Sequence, residues 1–213
     1  MGDHPMLFSA PMVRGNRSGR KTNTRRLFKG IEELPNGLFQ IFGGIVGVTK
    51  EDVPIYAPEY LPIQPGDRLW VRETWRTESN HYDDLAPSEM GGEETILYDA
   101  DADWRDNKTV GKTRVSIHMP RWASRTTLLV HTVRVERLLS ISREDAIAEG
   151  LEWVAPTYGV SGIAPTWNGD PRKSYFALWD HINGHGAAAK NPWVSVYHYE
   201  VVDQNIDQIA RAA

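Results

Sequence analysis

Residues 18–27 read SGRKTNTRRL and set Arg20, Lys21, Arg25 and Arg26 around the hydroxyls of Thr22 and Thr24. A run this dense in cations and hydroxyls suits one of three roles. It is a solvated basic loop, a clamp for a phosphate, or the floor of an active site where a lysine and an oxygen nucleophile act together. The charge distribution narrows these. No acidic residue falls between Asp3 and Glu32, whereas Arg14, Arg17, Arg20, Lys21, Arg25, Arg26 and Lys29 do. Acids gather later, at Asp83, Asp84, Glu89, Glu93, Glu94, Asp99, Asp101 and Asp103. With a net charge of −4, the chain is ill suited to coating a long duplex. A basic patch on an acidic protein fits a focused anionic ligand better.

Other spacings with chemical potential fail on inspection. DADADW (Asp99, Asp101, Asp103) begins like a calcium loop, but Trp104 stands where such a loop needs glycine and Val110 where it needs glutamate. His181 and His185 are four apart, yet Gly184 and Gly186 interrupt the helix that would align them. With 0 cysteines there is neither a disulfide nor a thiolate metal site. FGGIVG lacks both the dinucleotide spacing and a phosphate-loop lysine. No metal or other cofactor is expected.

These residues need a scaffold, and 213 residues at 40% hydrophobic and 24% charged are ordinary for one globular domain. No apolar run approaches the roughly 18–20 residues of a membrane span, and MGDHPMLFSAPM has no signal-peptide pattern. A cytoplasmic protein without membrane contact is expected. Met12–Arg17 reads as a short helix ending near Gly19, with a further turn over Thr24–Phe28. LFQIFGGIVGVT reads as a hairpin around Gly43-Gly44. In PGDRLWVRETW a turn leads into an alternating strand through Leu69, Val71, Trp70 and Arg72. ETILYDADADW is a further strand with a charged end. TTLLVHTVRVERLLSI is the longest β-rich run, with Leu129, His131, Val133 and Val135 on one face and Val130, Thr132, Arg134 and Glu136 on the other. Ser142 is a helix N-cap with Asp145 three residues on, and Gly150 stops that helix. SYFALWDHIN is amphipathic through Tyr175, Leu178, Trp179 and Ile182, and NPWVSVYHYEVV closes as a strand. Most tryptophans, among them Trp70, Trp122, Trp153, Trp167 and Trp179, are expected to be packing residues. The class is α+β: a small barrel with short helices over its mouth.

Against this layout the spacing Gly19-x-Lys21-x4-Arg26 matches the G-x-K-x4-R signature of ASCH domains, which are PUA-like β-barrels. Further stretches follow in the family's order. PGDRLWVRE resembles its G-D turn and second barrel strand, and ISREDAIAEGL its helix, with A-x-x-E at Ala146-Ile147-Ala148-Glu149. PWVSVYHYEVV resembles the closing strand. SAPMV…GRKTNTRR, GDRLWVRETW and IHMPRWASR are similar to a longer subgroup common in phages and prophages. The resemblance covers 7–27, 62–75, 115–150 and 174–202; residues 28–61, 76–114 and 151–173 stand as insertions in a single domain spanning 1–213.

The resemblance implies an activity. The family's smallest members include a bacterial N4-acetylcytidine amidohydrolase with a Lys–Thr–Glu catalytic set, which falls here on Lys21, Thr24 and Glu149. Arg25 departs from it, standing at a position that is apolar in that enzyme. Amide hydrolysis needs an oxygen nucleophile, a proton shuttle and an oxyanion donor. Either Thr24 supplies or positions the nucleophile with a neutral Lys21 as base, or Glu149 is the base and Lys21 the oxyanion donor. Nearby arginines and burial would lower the Lys21 pKa and Glu149 would raise it. Gly19, Arg20, Arg25, Arg26, Arg72 and Trp75 are the expected substrate contacts, with Trp75 stacking on a base. The turn is expected near the surface, where removing Lys21 or Thr24 costs on the order of 1 kcal/mol. The partner is a modified nucleoside or RNA, in a bacterial or phage-infected cell. A non-catalytic reader of RNA or of a modified base is the alternative, with a ribonuclease as a third.

Overall fold

The alternating run around Leu69–Arg72 and the long β-branched stretch after Thr126 do form strands, and they belong to the principal sheet of the protein. The computed structural model describes residues 1–101 and 109–210; Asp103 and Trp104, at the charged end of an expected strand, lie outside them. In chain order the strands are β1 (Asp3–Leu7), β2 (Asn23–Leu27), β3 (Ile31–Glu33), β4 (Phe39–Ile41), β5 (Ile45–Val48), β6 (Arg68–Arg72), β7 (Trp75–Thr77), β8 (Ile96–Tyr98), β9 (Thr127–Arg137), β10 (Glu152–Val154), β11 (Thr157–Val160), β12 (Ile163–Asn168) and β13 (Trp193–Val202). The helices are α1 (Ala10–Arg17), α2 (Val53–Tyr56), α3 (Arg143–Ala148) and α4 (Pro171–Asn183). The class is α+β, about a quarter helix and a third strand. The main sheet has five strands in the order β1-β6-β9-β13-β2, and no closed barrel is found among the described residues. No helix among them is long and apolar enough to cross a membrane.

The chain divides into two compact units. The first comprises the described residues of Met1–Gly19, Asp67–Leu129 and Val201–Ala213. In it β1 runs parallel to β6, and β6 pairs antiparallel with the start of β9 through Leu69↔Leu128. Val13, Leu69, Val71, Leu128 and Ile206 are buried here, and Trp75 packs with Met90, Met119 and Ala123. Pro11 lies in the first turn of α1, where its missing N–H costs nothing.

The second unit comprises Arg20–Gly66 and Val130–Glu200. Here β2 pairs antiparallel with β13, from Leu27↔Val194 to Asn23↔His198. Thr24–Phe28, expected as a turn, is therefore mostly strand: the partner β13 supplies the ladder that so polar a segment does not advertise. The hairpin at Gly43-Gly44 forms between β4 and β5, with Phe42 and Gly43 at φ of 47° and 72°. On β9 the expected alternation slips by one residue. Val130 and Val135 are buried while His131 and Thr132 are both exposed. α4 packs on β11, β12 and α3, burying Tyr175, Leu178 and Trp179 but leaving Ile182 exposed.

Candidate active site

Lys21 follows directly on the basic turn and precedes β2. Its neighbour Thr22 donates its N–H to the Ala148 carbonyl at 3.0 Å and accepts from the Tyr199 N–H at 3.0 Å. The chain is thus held between the end of α3 and β13, and Lys21 forms an isolated antiparallel bridge with Glu149. α3 begins as its sequence requires, with the Ser142 hydroxyl accepting the Asp145 N–H at 3.0 Å. It ends at Glu149, whose N–H reaches the Asp145 carbonyl, and Gly150 then adopts φ 101°. A Cβ at Gly150 would lie 3.1 Å from the Lys21 Cβ. Glycine here allows both the left-handed turn and the approach of the lysine.

At the centre, Lys21 Nζ donates to Glu149 Oε2 at 2.7 Å and to the Glu149 carbonyl at 3.0 Å, across 128 residues of sequence. The two residues are only 2% and 3% exposed. Arg25 donates through Nη1 to Glu149 Oε1 at 3.0 Å. Its other edge reaches Glu136 Oε1, at 3.1 Å from Nε and 2.8 Å from Nη2, and Asp145 Oδ2 at 2.6 Å. Arg134 also holds Asp145, and its Nε lies 3.5 Å from Glu136 Oε2. Around this cluster stand Tyr175 of α4, with its ring centroid 6.0 Å from the Arg25 guanidinium, and Tyr199, whose hydroxyl donates to the Asn23 carbonyl at 3.3 Å.

Burial pushes the Lys21 ammonium down from its ordinary pKa; Glu149 opposes this, and Arg26 and Arg25 reinforce it. For Arg26, too, burial is the largest influence and lowers the pKa against the pull of Glu149 and the tyrosines. Arg25 is the reverse case. Burial opposes its charge, but Glu149, Tyr175 and Glu136 hold the guanidinium above its usual value. For Asp145, burial is outweighed by Arg25 and Arg134, which hold the carboxyl below the usual range. A buried lysine whose charged form is disfavoured and that is bonded to a carboxylate has the arrangement that proton transfer requires.

Not every expected residue joins this cluster. Thr24 is buried on β2 opposite Tyr197 of β13. Arg25 is committed to three carboxylates rather than open to a substrate phosphate. Arg20 is partly exposed and pairs with Glu152 at 3.3 Å. Gly19, Arg72 and Trp75 belong to the first unit. Gly19 closes α1 at φ 73°, and the Arg72 guanidinium lies 5.2 Å from the Trp70 ring. Trp75 is fully buried, and so fills core instead of offering a face to a base. Conversely Trp153, expected in the core, is 55% exposed, with its ring 4.6 Å from that of Tyr158. Glu136, Asp145 and Tyr175 were not singled out as site residues. Their signals were the adjacent opposite charges on one face of β9, the residue three positions after the Ser142 N-cap and the apolar stripe of α4. Among the described residues no group of histidine and carboxylate side chains could hold a metal ion.

Comparison with known proteins finds no matching family model, curated protein or solved structure.

Proposed function

We propose that the protein is an amidohydrolase of the ASCH type, built on a PUA-like scaffold, that removes an acyl group from a modified cytidine resembling N4-acetylcytidine. The observation that carries this reading is the 2.7 Å contact between Lys21 Nζ and Glu149 Oε2 in a buried setting. A solvated basic loop would not bury its lysine, and a phosphate clamp would not place a carboxylate against it. In this reading Glu149 takes a proton from a water that Thr24 helps to position, and the water oxygen attacks the acyl carbon. Lys21 donates a hydrogen bond to the developing oxyanion, which is the larger electrostatic contribution. When the tetrahedral intermediate collapses, the C–N bond breaks and the proton passes to the N4 leaving group. Cytidine and the carboxylic acid are the products. Arg20 is left for the sugar or phosphate side of the substrate. The reaction would take place in the cytoplasm of a bacterial or phage-infected cell.

The test is incubation with a panel of N4-acylated cytidines, free and within short RNA, followed by mass analysis. Release of cytidine and acid from at least one member, lost in Lys21→Ala and Glu149→Gln, is the expected result. No turnover of any member overturns the reading. The exposed Trp153 ring beside Tyr158 favours a second reading, a modified-base or RNA binder. Binding of the acylated base without product release would decide for it.

A further inference from the structure

Glu149 has two carboxylate oxygens with different partners: Oε2 faces Lys21 Nζ at 2.7 Å and Oε1 faces Arg25 Nη1 at 3.0 Å. Rotating the carboxylate breaks one bond or the other, so whatever fixes Arg25 also fixes which oxygen meets the lysine. Arg25 is itself immobilised. Its side chain is 0% exposed, and its Nε–Nη2 edge is taken up by Glu136 and Asp145. Arg134 braces both of those carboxylates, and the Asn23 amide lies 3.4 Å from Asp145 Oδ1. A planar guanidinium clamped along one edge leaves its remaining Nη1 pointing in one direction.

Resting on the reading of Glu149 as the base, we propose that Arg25 is a positioning residue that orients the Glu149 carboxylate toward Lys21, with Glu136 and Asp145 as its anchors. Arg25 does not touch the substrate; it acts through Glu149. Its presence also adds positive charge beside the lysine. The charged and titratable groups surrounding the couple are Arg25 and Arg26 from β2, Arg134 and Glu136 from β9, Asp145 from α3, Tyr175 from α4, and Tyr197, His198 and Tyr199 from β13.

The experiment pairs steady-state kinetics on N4-acetylcytidine with a direct NMR titration of the Lys21 side chain, in the full-length wild type, Arg25→Met, Arg25→Lys and Glu136→Gln. In Arg25→Met, kcat should fall at least tenfold with KM changed less than about threefold, and Lys21 should titrate at higher pH. Arg25→Lys should keep Lys21 near its wild-type titration while leaving kcat low, because an ammonium restores charge but not the fork. Glu136→Gln loosens the clamp without touching Glu149 and should lower kcat by about three- to tenfold; it decides the question if Arg25→Met does not fold. An unchanged kcat together with an unchanged Lys21 titration in Arg25→Met overturns the proposal, as does a loss carried wholly by KM. If the wild type turns over no acylated cytidine, the functional reading falls, while a shifted Lys21 titration in Arg25→Met still upholds the coupling and an unshifted one removes it.

Discussion

A lysine ammonium at 2% exposure has lost nearly all of its hydration, and its bonds to Glu149 offset part of that loss. Buried ion pairs of this kind add little net stability, yet removing one partner leaves an uncompensated charge, at a cost of roughly 3–5 kcal/mol. Here Glu149 would keep Arg25, so Lys21→Ala should cost less, about 2–3 kcal/mol, as read by urea denaturation. That is well above the 1 kcal/mol or so expected of a surface turn, and burial is the reason. Glu149→Gln preserves shape and removes charge. Its kcat on N4-acetylcytidine should fall by about a hundredfold or more if the carboxylate moves the proton; a kcat within threefold of wild type would remove Glu149 from the chemistry. Because Lys21 acts as the proton-bearing donor in this mechanism, turnover should decline as pH rises through its depressed pKa. A pH–rate profile should therefore fall on the alkaline side earlier than an ordinary lysine, near 10.4, would require.

At the scale of elements, α3 is a helix of 6 residues, too short to be stable by propensity alone. Its N-cap and its glycine stop carry much of the burden of placing Glu149. Ser142→Ala removes the bond to the Asp145 N–H and should cost about 1 kcal/mol in thermal or urea unfolding. The same change should loosen Asp145, one of the anchors of Arg25. Gly150→Ala is the more severe change, because it forces a Cβ into the left-handed region and to within 3.1 Å of the Lys21 Cβ. The backbone penalty alone is about 1–2 kcal/mol, and the lysine must also shift. Gly150→Ala should therefore lower stability and turnover together, whereas Ser142→Ala should lower stability more than turnover. Loss of turnover in Ser142→Ala with unaltered stability would contradict this division.

Across the whole molecule, several carboxylates are held in ion pairs whose charge the fold depends on. Hydrogen bonding and charge from Arg17 keep Asp203 below the usual carboxylate range, and Arg121 does the same for Asp207. Asp145 is likewise depressed by Arg25 and Arg134, against the effect of burial. A carboxyl with a folded pKa below its unfolded value contributes stability that is fully present above the unfolded value, about 3.9 for aspartate. That contribution is lost as pH falls below 3.9 toward and through the folded pKa. Thermal unfolding followed from pH 7 downward should therefore hold a nearly level Tm until about pH 5 and then decline steeply. Asp145→Asn should flatten the decline, since its titration no longer contributes. Raising salt should weaken the exposed Arg17–Asp203 and Arg121–Asp207 pairs more than the buried Arg25 cluster. An acid limb unaffected by Asp145→Asn would show that Asp145 is not linked to folding.

Local sequence was enough to determine the features that depend on near neighbours. The cap at Ser142, the stop at Gly150, the turn at Gly43-Gly44, the strand through Leu69–Arg72 and the α+β class all rest on residues within a few positions of one another. The meeting of Lys21 with Glu149 was an expectation carried by family resemblance alone, and no local pattern contains it. Only tertiary structure decided what surrounds that pair. β2 became a strand because β13 lies beside it, and Arg25 turned inward because Glu136 of β9 and Asp145 and Glu149 of α3 and its C-terminal cap converge on it. The same holds for Trp75 in the core and Trp153 in solvent, two tryptophans that composition treats alike. Burial and long-range ion pairing depend on which distant segments meet, and short-range periodicity carries no record of that.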